Sequence, residues 1–449
     1  MRIVVVGGGA AGASAASRAK KLNPNAEVIL IEKTKMITHG PCGIPYLVEG
    51  LVKSKEDLIT YSPEEFERDR GIKVRINTQA IDIDSDKKTI TLARLGGGSQ
   101  EKIQWDKIII ATGAIPQIPN IPGKELKGVI TVRHPAEADI LKEEIDKANR
   151  VVIIGGGYIG IEMAEAIRTL GKEVIIIEKL DSLLSNAIDK DMSKIVEDEL
   201  ARRGVEVRKK TTLLEIVGKD RVQGVLTDGG EVKADAVIIA TGIRPNRSLA
   251  EQVGVKLGKT GAIETNEYME TNVEGIYAAG DVAEKFHKVK KDKVWIPLAP
   301  SANKEGQVAG ANAARGRTIF FPGIVGTSIT KFYDLYIGSV GLLAKEAELY
   351  GYKPIEKTIK ARTSAHYHPQ GRTVYVKLIA DEPSRKIIGA QVLGYSESVA
   401  GYIDVASVVI DKGMTIEELY FSDLGYMPAT APVWHPLIVA ARVLSGGTL

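Results

Sequence analysis

A strand, a glycine turn, a helix and a second strand occur in that order twice in this sequence, and alternating strands replace the pattern beyond about residue 325. These two observations predict an α/β fold: two Rossmann-like units built on parallel sheets, followed by a C-terminal α+β domain. The 449 residues accommodate three such parts at roughly 150 residues per domain.

The first unit opens with Ile3, Val4, Val5 and Val6, a continuous apolar run suited to a parallel strand buried on both faces. The run ends at Gly7, short of the roughly 7–15 apolar residues of a secretory signal core, so it reads as a strand entering a turn. With no signal and no disulfide framework, the chain is expected in the cytoplasm. A helical stretch leads to a second apolar strand that ends at Glu32, and a short helix is expected over 45–51. Gly96, Gly97, Gly98 and Ser99 form a loop between antiparallel strands, and Ile108-Ile109-Ile110 closes on Ala111-Thr112-Gly113. The second unit begins at Arg150, passes through Gly155, Gly157 and Gly160, and ends its second strand at Glu178. Its closing strand, 237–239, again meets Ala240-Thr241-Gly242. Beyond Gly275–Asp281, residues 373–378 and 386–392 alternate as antiparallel strands and 396–412 reads as a helix. The expected domains are 1–115 with 245–325, 116–244, and 326–449.

Composition narrows the function. Lys plus Arg is 60 and Asp plus Glu is 57, which gives no basic excess for nucleic acid, and aromatics at 5% supply few stacking platforms. No apolar run reaches the roughly 18 residues of a membrane-spanning helix. The one cysteine, Cys42, rules out an internal disulfide and a cysteine zinc cage within one chain. No metal site is expected.

The glycine turns carry the chemistry. In Gly7-x-Gly9-x-x-Gly12 the first glycine permits a tight turn, the second lets backbone approach a pyrophosphate, and the third lets helix and strand pack. The helix start offers free N–H groups to an anion. Glu32, 20 residues beyond Gly12, can accept ribose hydroxyls, and Glu178 stands 18 residues beyond Gly160 in the second copy. A single such turn also occurs for packing alone, but two complete copies point to two dinucleotides. FAD with NADH or NADPH is the natural pair for electron transfer. Glu178 favours the free 2′-hydroxyl of NADH, while Lys179 beside it suits the 2′-phosphate of NADPH or an ordinary solvated surface, so both coenzymes are expected.

With these motifs the chain resembles the pyridine nucleotide-disulfide oxidoreductases over nearly its whole length, through both turns with their acids, both Ala-Thr-Gly segments, and Thr271 with Ile276-Tyr277-Ala278-Ala279-Gly280-Asp281. It is most similar to the single-cysteine branch of coenzyme A-disulfide reductases, NADH oxidases and NADH peroxidases. The resemblance implies FAD contacts at Gly7, Gly9, Ala10, Ala11, Gly12, Glu32, Lys33, Cys42, Ala111, Thr112, Gly113, Asp281 and Ala299. It implies pyridine-nucleotide contacts at Gly155, Gly157, Tyr158, Gly160, Glu178 and Gly242, with Tyr158 covering the flavin until the nicotinamide displaces it.

Cys42 lies in a Gly/Pro-punctuated turn before a helix, where a helix N-terminus stabilises a thiolate; a buried structural thiol is the alternative. The resemblance implies the redox role. A lone redox cysteine takes its partner sulfur or oxygen from outside the chain, as a mixed disulfide, a persulfide or a sulfenic acid. Oxidases and peroxidases of the branch carry a histidine where this chain has Ala10, which argues for the reductases. Their coenzyme A positions correspond to Ser14, Arg18, Lys21, Thr38, Arg70 and Asn303, and a basic helix end (Arg18, Lys20, Lys21) suits phosphates. Pro41 beside the cysteine and Asn303 depart from the family pattern.

Tyr367 and Tyr426 look like the tyrosines that one subunit offers to the other's cysteine, which implies a homodimer with shared active sites. His366 and His368 are expected on one face of a strand without further metal ligands, and His435 receives no catalytic role. The resulting expectation is an FAD-dependent NAD(P)H:coenzyme A-disulfide reductase that also accepts polysulfide or coenzyme A persulfide. An NADH oxidase forming hydrogen peroxide or water, and a flavoprotein redox sensor, are the alternatives.

Overall fold

The computed structural model describes residues 1–447. Its first sheet is wholly parallel and runs in the order Ile276–Ala278, Lys107–Ile110, Arg2–Val6, Glu27–Ile31 and Lys73–Arg75. Chain from the far side of the second unit thus returns to pair with the first. The second parallel sheet runs Val205–Arg208, Glu173–Ile177, Arg150–Ile154, Ala236–Ile239 and Val129–Thr131. The central strands of both sheets are buried on both faces, as their unbroken Val/Ile runs require. Each sheet carries a three-stranded antiparallel ribbon, and the Gly96–Ser99 loop does lie between two strands of the first one, Thr89–Arg94 and Gln100–Gln104. A two-stranded ribbon, Ala114–Pro116 with Ile243–Pro245, joins the two units.

The C-terminal part is a five-stranded antiparallel sheet backed by the helices Ser398–Lys412 and Pro436–Leu444. The strands read at 373–378 and 386–392 extend over Thr373–Asp381 and Ile387–Gly394, because their apolar faces continue into the core. The helix expected from 396 begins at Ser398.

One helix contact sets the geometry of the first unit. Helices Ala10–Leu22 and Ala299–Arg315 meet backbone to backbone: a Cβ on Gly306 or Gly310 would stand 2.2 Å from the carbonyl oxygen of Ala11 or Ala15. Only glycine allows that approach, and it sets the start of the first helix against the middle of the second, the two running parallel. Among the described residues no helix is long and apolar enough to cross a membrane.

Candidate active site

The two glycine turns are built alike. Gly7 has φ +107° and Gly155 has φ +109°, a region L side chains rarely adopt. A Cβ at Gly12 would lie 1.8 Å from the Gly7 carbonyl oxygen, and one at Gly160 would lie 2.0 Å from that of Gly155. Gly9 and Gly157 face open space, with nothing within 4 Å of such an atom. Each turn is braced by its acid: Glu32 accepts the Gly8 N–H at 2.9 Å and the Thr34 N–H at 2.8 Å. Glu178 accepts the N–H groups of Gly156 (2.7 Å) and Leu180 (2.8 Å). An open glycine face, a helix start and an inward carboxylate with lone pairs to spare fit a pyrophosphate with its ribose at both places. Lys33 and Lys179, next to the acids, are exposed.

The Gly280–Asp281 turn follows the edge strand Ile276–Ala278 and is held from below. Glu305 accepts the Gly280 N–H at 2.8 Å and pairs with Lys285 at 2.8 Å, both side chains being 0% exposed. Asp281 pairs with Arg133 at 2.9 Å, and the same guanidinium donates to the Ala114 carbonyl oxygen at 3.0 Å. Ala299 is the first residue of its helix, and Thr112 ties the Ala-Thr-Gly turn to the Asn246 carbonyl oxygen at 2.6 Å. Arg133, Lys285 and Glu305 escape sequence reasoning. They are single charged residues outside any motif, and only the fold brings them to the turn.

Cys42 sits inside a 3-10 turn, Pro41–Gly43, that runs into the helix Ile44–Glu49. That helix stops earlier than the expected 51 because Gly50 takes a left-handed φ of 93° and caps it. Cys42 is exposed, at the foot of a helix that packs on the second unit's helix Tyr158–Thr169. The expected lowering of its pKa by a helix N-terminus is corrected here. Partial desolvation by the surrounding protein pushes the thiol up, the Glu162 charge adds to this, and Arg133 opposes it. Cys42 lies in the preceding turn, and the helix has only six residues, so its dipole is a minor influence. Glu162 accepts the Thr330 hydroxyl at 2.7 Å, and burial raises its own pKa. Tyr158 shares a 2.6 Å hydrogen bond with Ser328.

Of the residues proposed for a thiol substrate, Ser14, Arg18 and Lys21 lie on the first helix, Asn303 bonds to it, and Thr38 and Arg70 gather around Tyr61. Ser14 donates to Asn303 at 2.6 Å. The buried Arg18 Nε has no hydrogen-bond partner among the described residues. Lys21 is exposed, whereas Lys20 is committed to the Pro24 and Ala26 carbonyl oxygens, both at 2.9 Å, and does not join the basic cluster. Thr38 turns inward; its hydroxyl donates to the Tyr61 carbonyl oxygen and accepts the Tyr61 N–H, both at 2.9 Å. Arg70 donates to the Tyr61 hydroxyl at 3.1 Å and lies over that ring.

Tyr367 and Tyr426 come together on the C-terminal part, hydroxyl to hydroxyl at 3.3 Å, and stand 63% and 50% exposed. His366 and His368 do not lie on a strand, which corrects that expectation: Pro354–Arg362 ends before them and they occupy turns that lead to Pro369. Among the described residues no group of three or more His, Cys, Asp or Glu is placed to hold a metal. His435 caps the helix Pro436–Leu444 through Nδ1 to the Leu437 N–H at 3.2 Å and packs on Tyr402, a structural role. His39 and His134 form an edge-to-face pair, centroids 4.2 Å apart; burial brings His39 down to about 4. Nothing in the sequence announced that pair.

Comparison with known proteins follows the same outline. Residues 1–306 match the family model described as pyridine nucleotide-disulphide oxidoreductase, and residues 327–437 match the dimerisation domain of that family. The NAD(P)H sulfur oxidoreductase (CoA-dependent) of Pyrococcus furiosus is 47% identical over 99% of each chain. An NADH oxidase of Methanocaldococcus jannaschii is 38% identical over 98% of each chain. Among solved structures, a NAD-dependent persulfide reductase from A. fulgidus superposes with a TM-score of 0.96 at 38% identity, covering 99% of this chain and 83% of that one.

Proposed function

The chain belongs to the pyridine nucleotide-disulphide oxidoreductases, and from that premise we propose that it is an FAD-dependent NAD(P)H:coenzyme A-disulfide reductase that also takes polysulfide or coenzyme A persulfide. The observation that carries this reading is the lone, exposed Cys42, on a segment of the first dinucleotide unit that packs on the opening helix of the second. In this assignment residues 1–115 with 245–325 hold FAD, residues 116–244 hold NADH or NADPH, and 326–449 form the dimer in the cytoplasm.

Bound FAD supplies a ring that takes a hydride from a nicotinamide and passes an electron pair on to sulfur. The chain's residues do the rest. Gly9 leaves the turn open to the pyrophosphate while Gly7 and Gly12 shape it, Glu32 would receive the ribose, and Asp281, braced by Arg133, would hold the flavin's polyol. The Cys42 thiolate attacks one sulfur of coenzyme A disulfide, forms Cys42–S–S–CoA and expels one thiolate, which takes a proton. Tyr367 and Tyr426 of the second subunit are suited to give that proton. An electron pair then returns the Cys42 thiolate and frees the second thiol, so one NAD(P)H yields two coenzyme A thiols. Arg18, Lys21 and Arg70 suit the coenzyme's phosphates, with Ser14, Thr38 and Asn303 beside them.

Steady-state assays of the FAD-loaded protein and its Cys42→Ser variant test the reading. The variant should keep its flavin and a slow NADH oxidase activity while losing disulfide reduction. Disulfide reduction that survives in the variant refutes it. The second reading, an NADH oxidase, draws on the M. jannaschii relative and predicts that oxygen consumption in the wild type exceeds disulfide turnover.

A further inference from the structure

The helix that opens the second nucleotide turn shows one polar stripe to the C-terminal sheet. Tyr158, Glu162, Glu165 and Thr169 lie on one face, at spacings of four, three and four. Each is bonded to the strand Ser328–Phe332 or to the tyrosine just after it. Tyr158 meets Ser328 at 2.6 Å, Glu162 accepts from Thr330 at 2.7 Å, and Glu165 pairs with Lys331 at 2.5 Å. Glu165 also accepts the Tyr333 N–H at 2.8 Å, and Thr169 donates to the Tyr333 hydroxyl at 3.1 Å. Ser328 and Thr330 are two apart on a strand and therefore face the same way.

The first bond of this zipper differs from the others, because Tyr158 belongs to the nucleotide turn itself. Its ring packs against the hydrophobic cluster to which Ile44 and Val48 of the cysteine helix also belong, and that helix packs on the one Tyr158 opens. The family resemblance implies that an incoming nicotinamide displaces this ring; the bond to Ser328 is what holds it in place here.

We propose that Ser328, reaching across from the C-terminal domain, is a positioning residue for pyridine-nucleotide entry: its hydroxyl latches Tyr158 at the start of the nucleotide helix, and the nucleotide binds by breaking that hydrogen bond. The proposal rests on the reading that NAD(P)H binds at Gly155–Gly160. Thr330 and Lys331 hold the rest of the helix face, so loss of the latch frees the ring without releasing the helix. It follows that the C-terminal domain tunes nucleotide affinity from outside the nucleotide domain.

The test compares wild type, Ser328→Ala, Ser328→Thr and Ser407→Ala as FAD-loaded proteins. Ser407 shares a similar 2.7 Å hydroxyl pair with Thr327, the residue before Ser328, and has no hydrogen bond to the helix, so Ser407→Ala controls for loss of a partly buried hydroxyl bond. Removing one net hydrogen bond from the nucleotide-free state alone should tighten NADH binding about fivefold. Ser328→Ala should therefore lower both KM for NADH and the dissociation constant for NAD⁺ about fivefold, with kcat changed less than about twofold. Ser328→Thr, which keeps the hydroxyl, should restore wild-type values, and Ser407→Ala should leave them unchanged. An unchanged or raised dissociation constant in Ser328→Ala overturns the proposal, as does an equal shift in Ser407→Ala. The binding titration reads the latch independently of turnover. A wild type that binds NAD⁺ yet reduces no disulfide would count against the proposed function and leave the latch measurement intact.

Discussion

Replacing Lys285 with Met tests the buried support of the flavin turn. Lys285 and Glu305 are both 0% exposed, 2.8 Å apart, and Glu305 also holds the Gly280 N–H that precedes Asp281. Lys285→Met preserves volume but strands a carboxylate in the core. Breaking a buried pair by removing one partner costs about 3–5 kcal/mol. For a unit of about 150–250 residues, at roughly 2–4 °C per kcal/mol, the apparent Tm should fall by roughly 6–20 °C. The sign with pH is also determined. Burial raises the Glu305 pKa, so the folded state binds a proton that the unfolded state has already lost. Stability of the variant should therefore recover as pH falls from Glu305's raised value toward the ordinary glutamate range, and worsen as pH rises. Adding Glu305→Gln removes the second charge, keeps an acceptor for Gly280, and should restore most of the loss. Thermal unfolding followed by far-UV dichroism and by flavin release measures both effects. A single variant within about 2 °C of wild type, or a double variant no better than the single, would refute the reasoning.

Three other outcomes are expected. Glu162→Gln removes a charge that raises the Cys42 pKa, so the pH profile of Cys42 alkylation should move to lower pH; an unmoved profile counts against their coupling. Gly12→Ala places a Cβ 1.8 Å from the Gly7 carbonyl oxygen, and the protein should purify without flavin, as its absorbance will show. Tyr367→Phe and Tyr426→Phe remove exposed hydroxyls and should leave Tm unchanged while lowering disulfide turnover at least about tenfold, since a positioned proton donor is worth about 10²–10⁴.

What the sequence discloses follows the range of the interactions. Both glycine turns are legible because a positive φ, a buried Val/Ile run and a terminal acid are local demands that leave local residues. Glu32 and Glu178 brace their own turns, so one spacing rule finds both. The tyrosine pair was found only by resemblance, since residues 59 apart share no periodicity. Arg133 with Asp281, and Tyr158 with Ser328, join positions 148 and 170 residues apart, and no single-chain pattern marks such pairs. The expected lowering of the Cys42 pKa is offset for another reason. A helix start is local and visible, whereas the burial and the Glu162 charge that outweigh it come from packing of the second unit. The histidine strand failed because the alternation of 354–362 does not continue past Arg362 once Pro369 and Gly371 turn the chain.

Intact-mass analysis of the flavin-loaded protein after brief exposure to coenzyme A disulfide tests the central claim most directly. One coenzyme A should attach per chain at Cys42, leave on addition of NADH, and never attach to the Cys42→Ser variant. A protein that consumes NADH and coenzyme A disulfide while Cys42 stays unmodified throughout would contradict the account.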